Sequence, residues 1–227
     1  MSNSKNFVIA LDGGSGTGKS TTAKIVAKTL GITYLDTGAM YRALGLYMLR
    51  RGAVNDVSAI RASLDGVDIA VEFVDGAQHI LLDGEDVTLA IREPEVSMAA
   101  SAVSAVPEVR ERMVALQRMI VEGHHVIMDG RDIGTKVLPN ATLKVYMTAA
   151  AGERARRRCL ELAQKGMPEP YEKVLRDIED RDYQDIHRAA SPLRPADDAV
   201  TVDTTGKTFE ESVAEIKRLA LEAIGRR

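Results

Sequence analysis

Gly13-Gly14-Ser15-Gly16-Thr17-Gly18-Lys19-Ser20 is a complete G-x-x-x-x-G-K-[ST] run, and it follows directly on the apolar stretch Phe7-Val8-Ile9-Ala10-Leu11. A phosphate chain needs several donors converging on one point. The glycines let backbone N–H groups turn inward, Lys19 brings a point charge to the β and γ phosphates, and Ser20 is placed to hold Mg²⁺. The next segment, Thr21 to Leu30, has apolar residues at Ala23, Val26, Ala27 and Leu30 and stops at Gly31. That spacing predicts a helix whose N-terminal dipole favours an anion. Strand, loop and helix stand in the order the motif requires, so residues 13–21 are read as a nucleoside triphosphate site. An incidental glycine-rich turn would have to match the whole motif, in context, by accident.

Outward from this loop, composition sets the scale. With 227 residues and 24.6 kDa the chain suits one large α/β domain with appendages, and is too short for two catalytic domains with linkers. Apolar residues at 45% and charged residues at 28% are ordinary for a globular protein, and no apolar run has the length of a spanning helix. The opening Met-Ser-Asn-Ser-Lys-Asn leads towards the first strand without a signal-peptide apolar region, so a cytoplasmic protein is expected. Cys159 stands alone, which excludes an intrachain disulfide and a cysteine-based zinc site and fits a reducing compartment. A net charge of −3 and the absence of tryptophan argue against nucleic-acid partners, and with no spanning run no membrane partner is expected. A monomer is expected.

Five short apolar runs read as strands of a parallel sheet: Phe7 to Leu11, Thr33 to Leu35, His125 to Met128, Thr142 to Met147 and Ala199 to Val202. Helical patterns separate most of them, the β-α-β alternation of a doubly wound fold, in which ligands bind at the carboxyl edge of the sheet. Asp12, Asp36 and Asp129 fall at that edge. Two regions break the alternation. An insertion, placed at about 38–105, begins with a helix carrying Met40, Leu44, Tyr47 and Met48 on one face and contains the period-two strand Val67 to Phe73, an Asp75-Gly76 turn and a second strand, His79 to Leu82. Pro94 and Pro107 stand where first-turn prolines begin helices, the second carrying Val109, Met113, Leu116 and Ile120 on one face. The other region, about 152–190, reads as two helices, Glu153 to Gln164 and Tyr171 to about His187, around the Lys165-Gly166-Met167-Pro168 turn. Its apolar stripe is thin, which suits a mobile lid. Thr208-Phe209-Glu210-Glu211 is a capping box before a last helix with Phe209, Val213, Ile216 and Ala220 facing inward.

Three constellations carry chemistry. In Leu35-Asp36-Thr37-Gly38-Ala39-Met40-Tyr41-Arg42, small residues at a helix start with Arg42 one turn inside suit a second anion; alternatively Asp36 and Thr37 only cap the helix and Arg42 is solvated. Asp129-Gly130-Arg131-Asp132 ends a strand, where Asp129 can organise Mg²⁺ through its waters and Arg131 can face phosphates, or the stretch is a surface turn with an ion pair. In the lid, Arg154, Arg157 and Arg158 share a helix face, for which a solvated basic face is the usual explanation. In the next helix the stripe Tyr171, Val174, Ile178 continues as Arg181, Asp185 and Arg188, charges that need a polar ligand if buried. No guanine-reading Asn-Lys-x-Asp and no transporter-motor signature is present. No residue stands out as a base, and a phosphate acceptor needs none, being largely ionised near neutral pH.

The phosphate loop together with Leu-Asp-Thr-Gly-Ala-Met-Tyr-Arg at 35–42, Asp-Gly-Arg-Asp-Ile-Gly-Thr at 129–135 and Arg-Asp-Tyr-Gln-Asp-Ile-His-Arg at 181–188, followed by Ala-Ala-Ser-Pro-Leu, resembles the bacterial cytidylate kinases over nearly the whole length. The resemblance implies a three-layer α/β P-loop nucleoside monophosphate kinase fold: one domain, a five-stranded parallel sheet, an inserted acceptor-binding region and a helical lid. It implies transfer from ATP to CMP or dCMP with Mg²⁺. It further implies that Ser101, Arg110 and Asp132 read the cytosine, that Thr37, Arg42 and Arg131 hold the acceptor phosphate after Asp36, that Arg181 and Asp185 hold the sugar, and that Arg188 holds phosphate oxygens. Lys19, Arg131, Arg158 and Arg188 would then offset the charge of the transferred group. A carboxylate at Asp132 can accept from the amino group of cytosine and repels the carbonyl of uracil. Some members have Ser at the position of Thr37 and Gly at that of Ser20; neither difference removes a needed donor here. The rival expectations are a kinase of this fold for UMP, AMP or a non-nucleotide acceptor such as shikimate, and a nucleotide-dependent switch.

Overall fold

Alternating apolar runs and amphipathic segments produce, in chain order, β1 (Val8–Gly13), α1 (Lys19–Leu30), β2 (Thr33–Asp36), α2 (Thr37–Arg50), α3 (Val57–Ser63), β3 (Ile69–Val74), β4 (Ala77–Leu82) and β5 (Glu85–Asp86). There follow α4 (Pro94–Ser104), α5 (Pro107–Val121), β6 (Val126–Gly130), β7 (Leu143–Thr148), α6 (Ala151–Gln164), α7 (Tyr171–His187), β8 (Val200–Asp203) and α8 (Phe209–Gly225). The computed structural model describes residues 6–225; the N-terminal stretch read above lies, through residue 5, outside them. The chain divides into two compact units, one running up to Thr33 and resuming at His124, the other Tyr34–Gly123.

The larger sheet has five strands in the order β2-β6-β1-β7-β8, and its strands β6, β1, β7 and β8 belong to the first unit. β1 lies parallel to both β6 and β7, and β7 parallel to β8. Ile9, Leu11, Ile127 and Met128 are fully buried, because central strands covered on both faces need continuous apolar runs. Register aligns Asp12 with Gly130 and Tyr146, and Gly13 with Met147, so the carboxyl ends of β1, β6 and β7 meet at one edge. The core strands run one or two residues beyond the apolar runs, since ladder bonds continue through the polar residues that close each strand. Gly13 is obligatory there: a Cβ on it would lie 2.1 Å from the Met147 carbonyl oxygen. Helix α1 buries Ala23, Val26 and Ala27, packs with α8, and ends at Gly31 with φ 65°. The capping box of α8 forms, with Glu211 N–H donating to Thr208 Oγ1 and Thr208 N–H to Glu211. Phe209, expected inward, is instead half exposed; the buried positions are Ser212, Ile216 and Ala220.

Helices α6 and α7 form the expected hairpin, held by a small cluster of Ala155, Val174 and Ile178 with Cys159, Leu162 and Tyr171 partly buried against it. The second unit has its own core, in which Met40, Leu44 and Met48 of α2 meet Ile60, Ile80, Ile91, Val103 and Met113. Helices α2 and α4 approach closely because position 45 is glycine: a Cβ there would lie 2.8 Å from the Ala100 nitrogen. Pro94 and Pro107 do open helices. β3, β4 and β5 form a small antiparallel sheet, whose third strand, two residues long, is too short to show a periodic pattern. Among the described residues no helix is long and apolar enough to cross a membrane.

Candidate active site

The phosphate loop bridges β1 and α1 through positive φ at Gly16 and Gly18. Inside it, Lys19 Nζ donates to the Gly14 carbonyl at 2.6 Å, and Thr17 Oγ1 donates to the same oxygen at 3.1 Å. Lys19 is buried, and burial together with the nearby Arg131 pushes its pKa down to about 7, against the opposing pull of Asp129, Asp12 and Asp185. A cation held this way is short of negative charge, which a phosphate chain supplies. Ser20 Oγ donates to Asp129 Oδ2 at 2.6 Å, so a hydroxyl and a carboxylate stand together at the start of α1. No group of three or more His, Cys, Asp or Glu suited to a metal occurs among the described residues. A sparse oxygen pair of this kind fits Mg²⁺, which keeps several waters and takes its remaining ligands from substrate phosphates.

Arg131 follows β6 and donates from Nε to Asp185 Oδ2 of α7 at 2.8 Å; Arg188 contacts the other oxygen of Asp185 at 3.4 Å and donates to the Ser191 carbonyl at 2.7 Å. Burial pushes the Asp185 carboxyl up, but Arg131, Arg188 and Arg181 outweigh it and hold the group below the usual carboxylate range. The structure therefore brings Lys19, Ser20, Asp129, Arg131, Asp185 and Arg188 into one electrostatic cluster, with Arg181 in its field. Asp132, also buried, sits directly before the π-helical turn Ile133–Val137.

Arg154, Arg157 and Arg158 do not act as one basic face. Arg154 is buried, donating to the carbonyls of Ala149 and Ser15 and, through both terminal nitrogens, to the Asp182 carboxylate at 3.1 and 2.6 Å. Arg157 is held by Thr204 and Glu153. Arg158 stays at the surface, paired with Glu161 at 2.8 Å. From sequence, Arg154 falls on a solvated basic face and Asp12 only at the sheet edge, and no partner is assigned to either, nor to Asp182. Two signals pointed to the pair of Arg154 and Asp182: an Arg one turn into a helix after a strand end, and the acid next to Arg181 in its motif.

In the second unit Asp36 caps α2 by accepting from Ala39 N–H at 3.1 Å, and it also accepts from Arg42 Nη2 at 2.8 Å. Burial raises the Asp36 carboxyl, but Arg42 and then Arg92 more than compensate and lower it. Arg42 is thus not solvated. Its Nε is buried without a hydrogen-bond partner among the described residues. Gly38 leaves space beside it, since a Cβ there would lie 3.1 Å from Arg42 Nη1. Thr37, buried, opens α2; Ser101 is half-buried on α4. Arg110 is buried on α5 with its guanidinium 5.4 Å from the Tyr41 ring centroid.

A family model described as cytidylate kinase matches residues 9–222. A cytidylate kinase of Caldicellulosiruptor saccharolyticus is 50% identical over 222 residues, covering 97% of this chain and 98% of that protein. One of Carboxydothermus hydrogenoformans is 50% identical over 220 residues, covering 96% and 97%. Among solved structures, an uncharacterized protein from Eubacterium ventriosum has a TM-score of 0.51 at 9% identity, covering 94% of this chain and 97% of that one, a likeness of fold alone. With residues 9–222 matched by the family model and relatives half identical over nearly their whole length, the chain belongs to the cytidylate kinase family.

Proposed function

We propose that the chain transfers the γ-phosphoryl group of ATP to CMP or dCMP, giving ADP and CDP or dCDP. Membership of the family carries this reading, and the buried, charge-hungry Lys19 inside the loop supports it. The loop from Gly13 to Thr21 wraps the donor phosphates with backbone N–H groups, and Lys19 draws on the β and γ oxygens. Arg131 and Arg188, already oriented by Asp185, offset charge on the transferred group as it moves, and Arg158 joins them by leaving its surface pair with Glu161. Ser20, and Asp129 through waters, would hold Mg²⁺, which when bound neutralises phosphate charge.

On the acceptor side, Arg42 offers a guanidinium edge to the acceptor phosphate, with Thr37 adding a hydroxyl. Ser101, Arg110 and Asp132 read the base, and Arg181 and Asp185 the sugar. The acceptor phosphate oxygens need no general base, so positioning and charge do the work. The deciding experiment is ADP release with ATP and Mg²⁺ against CMP, dCMP, UMP, AMP and no acceptor. CMP and dCMP should be turned over at least about tenfold faster than UMP or AMP, the discrimination of one good base contact. Equal rates without acceptor would leave an ATPase or a switch.

A further inference from the structure

Asp132 occupies the position directly before the π-helical turn Ile133–Val137, where an Asp ordinarily accepts from the first N–H groups of its own turn. Its side chain makes no such bond. Ile133 N–H and Gly134 N–H donate instead to Oδ1 and Oδ2 of Asp12, each at 2.7 Å, from the end of β1 far away in sequence. Asp12 is buried, and an isolated buried carboxylate would be expensive, so these two bonds are part of what keeps it there. Gly134 is shaped to admit it: a Cβ there would lie 3.3 Å from Asp12 Oδ2 and 3.2 Å from the Lys144 side chain. Lys136 N–H and Val137 N–H both donate to the Asp132 carbonyl, so the turn closes on Asp132 itself.

Two acceptors on one rigid carboxylate, taken by consecutive N–H groups, fix the peptide planes just after Asp132, and with them the direction in which its Cβ leaves the backbone. We propose that Asp12 is a positioning residue for base recognition: it caps the turn in place of Asp132, so that the Asp132 carboxylate is directed to the amino group of the acceptor base. This rests on the proposed CMP kinase reading. No other residue type at position 12 does the same job. Asn has one acceptor and would set its NH₂ against an N–H donor, while a shorter or apolar side chain leaves both donors for Asp132 to satisfy by folding back on its own turn.

The test compares wild type, Asp12→Asn, Asp132→Asn and the double variant by kcat/KM for CMP and UMP, by KM for ATP, and by amide exchange at Ile133 and Gly134. Asp12→Asn should lower the CMP over UMP preference about tenfold, the scale of one base contact, whereas any change in KM for ATP from the lost pull of Asp12 on Lys19 should be the same with either acceptor. Exchange at the two amides should quicken. In the double variant the preference should equal that of Asp132→Asn alone, because Asp12 acts through Asp132. An unchanged preference in Asp12→Asn or additive losses in the double variant would each overturn the proposal. If Asp12→Asn does not fold by circular dichroism, Asp12→Glu, which keeps the charge but shifts it by a methylene, should lower the preference likewise, and full preference there overturns it. A wild type with no preference for CMP would sink the functional reading itself, a distinct result.

Discussion

Lys19 shows what a single residue contributes and what it costs. Its side chain is enclosed by backbone carbonyl and hydroxyl oxygens, and burial with Arg131 depresses its pKa to about 7 from 10.5. Between those values the unfolded chain binds the proton and the folded chain does not, so this group's contribution to stability rises with pH across that window. Phosphates reverse the shift. Binding of MgADP at pH 8 should therefore take up close to about one proton, read by titration calorimetry in buffers of different ionisation enthalpy; no uptake would mean that Lys19 is already charged in the free protein. Lys19→Ala should lower kcat by about 10²-fold or more with a native circular dichroism spectrum, and near-normal turnover would remove the loop from the donor site. The loop was legible in the sequence because its chemistry is local: the donors, the glycines and the lysine lie within eight consecutive residues. The bonds of Asp12 and Arg154 were not, because their partners lie at Ile133, Gly134 and Asp182, and no periodicity reports a bond between residues so far apart in sequence.

At the scale of elements, strands and helices were readable wherever one face is buried, as in α2, α6, α7 and α8, and unreadable where the element is short, as in β5; at the start of α8 only packing decides which face is inward, so Phe209 lies outward. The α6–α7 hairpin has a small apolar cluster, so its attachment depends on polar ties. The chief tie is Arg154, which joins the phosphate loop carbonyl of Ser15 to Asp182 on α7 in a bidentate pair. Lysine keeps the charge but cannot reproduce the fork. Arg154→Lys should therefore speed amide exchange in α7 and raise KM for ATP several-fold, on the order of one charge-assisted hydrogen bond, while exchange in β1 and β6 stays slow. In wild type, residues 152–190 should exchange faster than the sheet and slow when ATP analogue and CMP are both bound, measured by hydrogen–deuterium mass spectrometry. Exchange equally slow without ligand would mark the hairpin as a rigid subdomain, and its charged face would then need an explanation other than closure.

For the molecule as a whole, the division at Thr33 and His124 has an energetic meaning. The unit Tyr34–Gly123 carries an apolar core of its own, centred on Met40, Leu44, Met48, Ile80 and Met113, while the sheet unit is built on Ile9, Leu11, Ile127 and Met128. Each core is large enough to be felt when a side chain is removed, because close-packed interiors collapse only partly around a cavity. Leu44→Ala and Ile127→Ala should each cost about 2–5 kcal/mol, the usual range for such truncations of fully buried residues. What separates the two is where protection is lost. If each core supports its own unit, native-state hydrogen exchange should quicken in 34–123 for Leu44→Ala and in the sheet for Ile127→Ala, with the other unit little changed below the unfolding transition. Equal loss of protection across both units from either substitution would mean that the chain opens only as one cooperative block, and that the Tyr34–Gly123 unit has no stability of its own.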